Sequence, residues 1–304
     1  MRIVAPALST IVLLAAQALP DAGHQARADQ SPAVRLCAAS NCERPKTLFS
    51  WGGEQAENEP EEEDKIETDR PDFTEASTTV GLGHVQLETG YTFTYDDDGT
   101  RTLYEHSSPE ALLRIGMLAE WFEMRIGWNY LIDRVHTAGG RDTVDGAEDL
   151  YLGIKLALTE QEGWLPEMVL LPQMTVPTGA RAFTQNEVMP GLSWLYGWDF
   201  CEEYSLGGST QANRAQEGSG NFYTELAQSI TASKDLTEKL SGYFEWFAFF
   251  PHGAADADTR PEHYLNTGLA WGVTNDLQFD ARVGWGLNDA ADDLFTGVGM
   301  SVRF

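Results

Sequence analysis

Six histidines, three cysteines and a set of evenly spaced charges are the residues of this 304-residue chain that could do chemistry. Acyl transfer needs a Ser or Cys beside a His that an acid orients. His84, His106, His136, His252 and His263 have no such arrangement beside them, and His136, His252 and His263 fall in or next to long polar connections. Cys37 and Cys42 could pair in an oxidising compartment, leaving Cys201 over; none of the three sits in a metal or nucleophile pattern. Asp256 and Asp258 could meet calcium but lack a recognised loop spacing. These residues imply no catalytic centre, metal site or cofactor. The charges say more. Glu88, Arg114, Glu123, Arg125 and Asp149, then Lys155, Glu225, Glu245, Asp280 and Arg282, all fall on one parity of segments that otherwise alternate with apolar residues. Mixed signs on facing strands can brace an interior by pairing, or form a field that selects solutes.

The elements that carry them have a period of two, the mark of strands with two different faces. In residues 122–133 one parity reads Phe122, Met124, Ile126, Trp128, Tyr130, Ile132 and the other Glu123, Arg125, Gly127, Asn129, Leu131, Asp133. Twelve such segments are expected, at 83–96, 103–118, 120–133, 147–159, 166–177, 188–199, 203–213, 221–233, 238–250, 262–273, 276–287 and 294–304. The least clear are 166–177, nearly continuously apolar around Pro172, and 238–250, aromatic on both faces.

Their connections alternate in character. Short ones fall at 118–120, 199–203 and 274–276; long Gly/Asp-rich ones at 134–146, 178–187, 212–220, 251–261 and 288–293. Alternation of tight turns and long loops, an even strand count, and aromatics such as Trp121, Trp164, Trp198 and Trp271 near segment ends predict an all-β, antiparallel, up-and-down transmembrane barrel. A secreted sandwich is the soluble alternative. The chain stops on a strand ending at Phe304, which resembles the signal read by the barrel-assembly machinery.

Residues 1–28 read as a signal peptide, cleaved after Ala18 or Ala28, which implies export to a bacterial outer membrane. Residues 29–65 read as a disordered acidic leader. The net charge of −27 excludes nucleic acid as a partner, since phosphates would meet repulsion. Of the 47 acids, 33 lie after residue 81, many in loops, so alternate strand residues stay free for lipid.

Thr68-Asp69-Arg70-Pro71-Asp72-Phe73, Gly146-Ala147-Glu148-Asp149-Leu150-Tyr151-Leu152-Gly153, Val176-Pro177-Thr178-Gly179 and the closing strand to Phe304 resemble a bacterial family of outer-membrane barrels. It is usually called the MetA-pathway phenol-degradation, or transporter, family. The resemblance covers about residues 66–304, with Glu148 where glycine is usual and Val176 where Leu is frequent. It implies uptake of aromatic compounds and carries no established site residues.

Twelve strands about 4.8 Å apart, tilted by about 40°, enclose a backbone radius of roughly 11–12 Å. Inward side chains narrow that to a path for small solutes. The expected function is a passive outer-membrane channel for small, aromatic solutes; a structural or binding barrel with a plugged lumen is the alternative. Asp69, Arg70 and Asp72 lie just before the first strand, where they are expected to tuck against or into the periplasmic mouth and meet lumen charges.

Overall fold

The structure is a computed structural model that describes residues 46–49, 65–201, 203–257 and 259–304. The expected signal peptide, the Cys37–Cys42 pair and most of the acidic leader lie outside the described residues.

The strands are β1 (Val85–Asp97), β2 (Arg101–Ser107), β3 (Ala111–Gly116), β4 (Phe122–Trp128), β5 (Tyr130–Thr137), β6 (Gly140–Ala147), β7 (Leu150–Thr159) and β8 (Glu167–Val176). They continue as β9 (Met189–Cys201), β10 (Tyr204–Gln216), β11 (Phe222–Thr237), β12 (Leu240–His252), β13 (Glu262–Thr274), β14 (Leu277–Gly286) and β15 (Leu294–Arg303). Twelve of them form one closed antiparallel wall in the order β1-β3-β4-β7-β8-β9-β10-β11-β12-β13-β14-β15, with β15 paired to β1. Closure leaves no unpaired edge in the hydrocarbon, where backbone groups would find no partner.

Burial decides between membrane barrel and soluble sandwich. Arg114, Glu123, Lys155, Glu88 and Glu245 are 0% exposed, while Phe244 and Val298 are 56% exposed and Trp271 is 52% exposed on the outer face. A sandwich would bury the second group and solvate the first. Here the polarity is inverted, as lipid outside and a polar interior require.

Four staves are longer than the barrel. The upper half of β1 pairs with β2, β2 with β5 and β5 with β6, a four-stranded arm rising beyond the barrel wall. Residues 134–146, expected as a loop, are therefore mostly strand, turning at Ala138-Gly139. No alternation marked them, because β6 is exposed to water along most of its length and has no apolar side to hide. Pro172 is accommodated inside β8: the β7–β8 ladder skips Ile154 and Lys155, opposite Pro172 and Leu171.

Residues 65–84 add no strand to the wall. They enter the lumen at the end that carries the short turns, where the Ile66 N–H donates to Asn275 O at 2.7 Å. They climb to an apex at Asp72–Thr74, descend again, and leave beside Gly116 to start β1. The result is a hairpin-shaped insert inside the barrel.

Candidate functional site

The site is the contact between this insert and the wall, and it has three levels. The lowest is ionic. β3 carries Arg114, β4 carries Glu123 and Arg125, β7 carries Lys155 and β1 carries Glu88, all pointing inward by strand parity and all fully buried. Arg114 donates to Glu123 at 2.8 and 3.0 Å and to Glu88 at 3.1 Å. Asp69 of the insert completes the group: Arg125 Nη2 donates to it at 2.6 Å and Lys155 Nζ at 2.9 Å, and the Asp69 N–H is shared between the two Glu88 oxygens at 3.1 Å. Three wall cations thus face two wall carboxylates, and Asp69 supplies the third negative charge. Burial alone would push the Asp69 carboxyl up; Arg114, Arg125 and Lys155 more than offset it and hold the group well below the usual carboxylate range. The descending limb is tied to the same wall, with the Val80 N–H donating to Glu123 at 2.9 Å and Glu75 2.9 Å from Arg125.

At the middle level the signs reverse. Arg70 reaches from the insert to Glu110 at 2.7 Å and to Asp280 on β14 at 3.3 Å. Arg282, also on β14, donates to Pro71 O at 3.1 Å and to Thr92 at 2.8 Å. Two wall acids and one wall cation therefore receive one cation from the insert. Arg70 can come this close only because β1 and β15 present Gly90 and Gly299 as paired neighbours; a Cβ at either would overlap the guanidinium.

The apex is polar on one side and aromatic on the other. The N–H groups of Phe73 and Thr74 donate to Glu245 at 2.8 and 2.7 Å, and Asn266 donates to the same carboxylate at 2.9 Å. The Thr74 hydroxyl lies 2.6 Å from that of Ser229. Phe73 stacks on Phe247 at 4.6 Å and meets Phe249 edge-on at 5.4 Å, joining a lumen cluster completed by Tyr264 and Phe295. Asp72 stands beside Glu245, and burial together with that neighbouring carboxylate pushes its own carboxyl well above the ordinary range.

The remaining predicted residues lie elsewhere. Asp149 sits at the far end, where it accepts from the N–H groups of Gly179 and Gln185 at 2.9 and 3.0 Å and pins the loop over residues 178–187. Glu225 is high in the lumen and accepts from Tyr223 at 3.2 Å, away from the insert. Residues that sequence reasoning missed include Phe73, Glu75, Asn266 and Glu110. Glu110 lies in the junction between β2 and β3 in left-handed backbone (φ 47°), where strand parity shifts and counting by twos fails. Among the described residues no cluster of His, Cys, Asp and Glu fit to hold a metal is found. His106 is hydrogen-bonded to Tyr91, and His136 packs on Tyr104.

A family model described as "Putative MetA-pathway of phenol degradation" matches residues 68–304. No curated protein matches the chain. Among solved structures, an outer membrane channel from Pseudomonas putida F1 superimposes with a TM-score of 0.60 at 14% identity, covering 75% of this chain and 98% of that one. The translocator domain of the autotransporter NalP from Neisseria meningitidis has a TM-score of 0.49 at 14% identity, covering 75% and 90%. A NanC porin has 0.43 at 12% identity, covering 72% and 98%. At 14% identity the likeness to the Pseudomonas putida F1 channel shows the fold, that of a bacterial outer-membrane barrel.

Proposed function

Because this chain belongs to the family described as "Putative MetA-pathway of phenol degradation", we propose that it is an outer-membrane channel for small aromatic solutes, throttled from within by residues 65–84. The observation that carries this reading is the placement of Phe73: the insert's own aromatic ring completes a lumen cluster of Phe247, Phe249, Tyr264 and Phe295. An aromatic solute would meet stacked and edge-on ring partners there. The relative from Pseudomonas putida F1 is described as an outer membrane channel, which agrees with this reading.

On this reading the short turns and the insert's entry face the periplasm and the long loops face outward. Asp69 and Arg70 hold the insert at the periplasmic half, with Asp72 at its apex, while Glu88, Arg114, Glu123, Arg125, Lys155, Glu245, Asp280 and Arg282 are the wall groups that receive it. Residues 1–28 direct export, 29–65 form a leader, and the strand ending at Phe304 is presented to the assembly machinery; Phe304 is 74% exposed.

The charge balance between insert and wall favours a second reading, a barrel sealed against transport. Single-channel recording separates the two. A channel gives conductance steps that phenol interrupts for longer than cyclohexanol of similar size. A sealed barrel gives no steps.

A further inference from the structure

The outer face of the four-stranded arm carries a group of cations with no carboxylate partners. Ladder rows place Phe93 beside His106, Tyr95 beside Tyr104 and Arg134, and Thr102 beside His136 and Arg141, all on the side away from the lumen. Between them is a recess of about 510 Å³ lined by Phe93, Tyr104, His106, Arg134, His136, Arg141 and Thr143. In a chain of net charge −27 this is an unusual surface. Two outward cations elsewhere are paired: Arg214 lies 3.1 Å from Glu187 and Lys234 3.7 Å from Glu203. Among the described residues neither Arg134 nor Arg141 is in an ion pair. The nearest outward acids are engaged otherwise, Asp97 by the Gly99 N–H at 2.9 Å and Asp145 by the Tyr130 hydroxyl.

Height locates the patch relative to lipid. A strand tilted by about 40° climbs roughly 2.5 Å per residue. Phe93 and Tyr95 then stand about 20–25 Å above Val85, at the upper limit of an apolar band about 25 Å tall. The Arg134 and Arg141 rows lie level with and above Tyr95, where headgroups begin. Aromatic faces at 5.1 Å (Tyr104–His136) and 5.3 Å (Phe93–His106) flank the guanidinium groups.

We propose that this recess binds the headgroup of a phosphorylated glycolipid in the leaflet on the long-loop side, with Arg134 and Arg141 on the phosphate and the Phe93 and Tyr104 rings against the sugar. Arginine meets phosphate through two parallel N–H donors, and the electron-rich face of an exposed ring attracts the C–H groups on the apolar face of a sugar. The phosphate selects a lipid over a neutral detergent, and the position selects a headgroup over a solute in the lumen.

The test is native mass spectrometry of the full chain in detergent, titrated with diphosphoryl lipid A and with the same lipid stripped of both phosphates. The phosphorylated form should bind at least about tenfold more tightly, a difference of about 1.4 kcal/mol. The double variant Arg134→Gln/Arg141→Gln should erase that difference, while Arg214→Gln, an outward cation elsewhere, should keep it. Equal binding of the two lipids to the unaltered protein overturns the proposal, and that arm does not depend on any variant folding. So does retained preference in the double variant, or full competition by millimolar inorganic phosphate, which would mark a free-anion site.

Discussion

The Arg70 guanidinium occupies the space that a Cβ on Gly299 would need. Gly90, paired with Gly299 across the β1–β15 ladder, leaves the same space from the other strand. Two wall glycines therefore make a flat seat for one insert cation, which reaches Glu110 and Asp280 from it. Gly299→Ala should unseat Arg70 at a cost of about 1–3 kcal/mol, the usual range for overpacking. The loss should appear as a lower unfolding midpoint in urea. The barrel itself should still form, as judged by heat-modifiable gel mobility.

Asp69 is the negative charge of the insert that meets Arg114, Arg125 and Lys155 together. Breaking a buried pair from one side leaves the partners uncompensated, a cost of about 3–5 kcal/mol. Asp69→Asn should lower the urea midpoint more than Gly299→Ala does. Because the folded carboxyl titrates below its unfolded value, its contribution is full above about pH 4 and is lost as pH falls through the lower folded value. Mild acid should leave this anchor intact.

Asp72 has the opposite sign. Its carboxyl is raised, so the folded state binds the proton more tightly than the unfolded one and stability is lost as pH rises through the raised value. The insert should therefore dock more firmly as pH falls from neutrality toward about 4. Asp72→Asn should raise the urea midpoint at neutral pH and flatten this slope; an unchanged slope would place the titration elsewhere.

Phe73 joins the insert to the lumen aromatics by two ring contacts, each worth about 0.5–1.5 kcal/mol beyond its buried area. Phe73→Leu keeps apolar bulk and removes the ring. Phenol blockades in single-channel records should shorten several-fold, while cyclohexanol blockades should change little.

The barrel was legible because lipid on one side and a polar lumen on the other force strict alternation, and Phe122–Ile132 shows it residue by residue. Even Pro172 did not hide β8, since its ladder gap falls within an otherwise apolar strand. The arm was not legible: both faces of β6 are wet, so nothing distinguishes its parities. Inward charges such as Arg114 and Glu245 could be read by counting, but their grouping could not. It depends on an insert folded back into the lumen, where Asp69 meets residues 56 and 86 positions away. Glu110 escaped because its left-handed backbone breaks the count.

The most direct test of the account is single-channel conductance of the chain lacking residues 66–75, compared with the intact chain in the same planar bilayer. Removal takes away Asp69, Arg70, Asp72 and Phe73 together and leaves the closed wall in place. A throttled channel predicts larger conductance steps and loss of the phenol-over-cyclohexanol preference. Steps of unchanged size with the preference retained would contradict it, because the insert would then neither narrow the lumen nor read the solute.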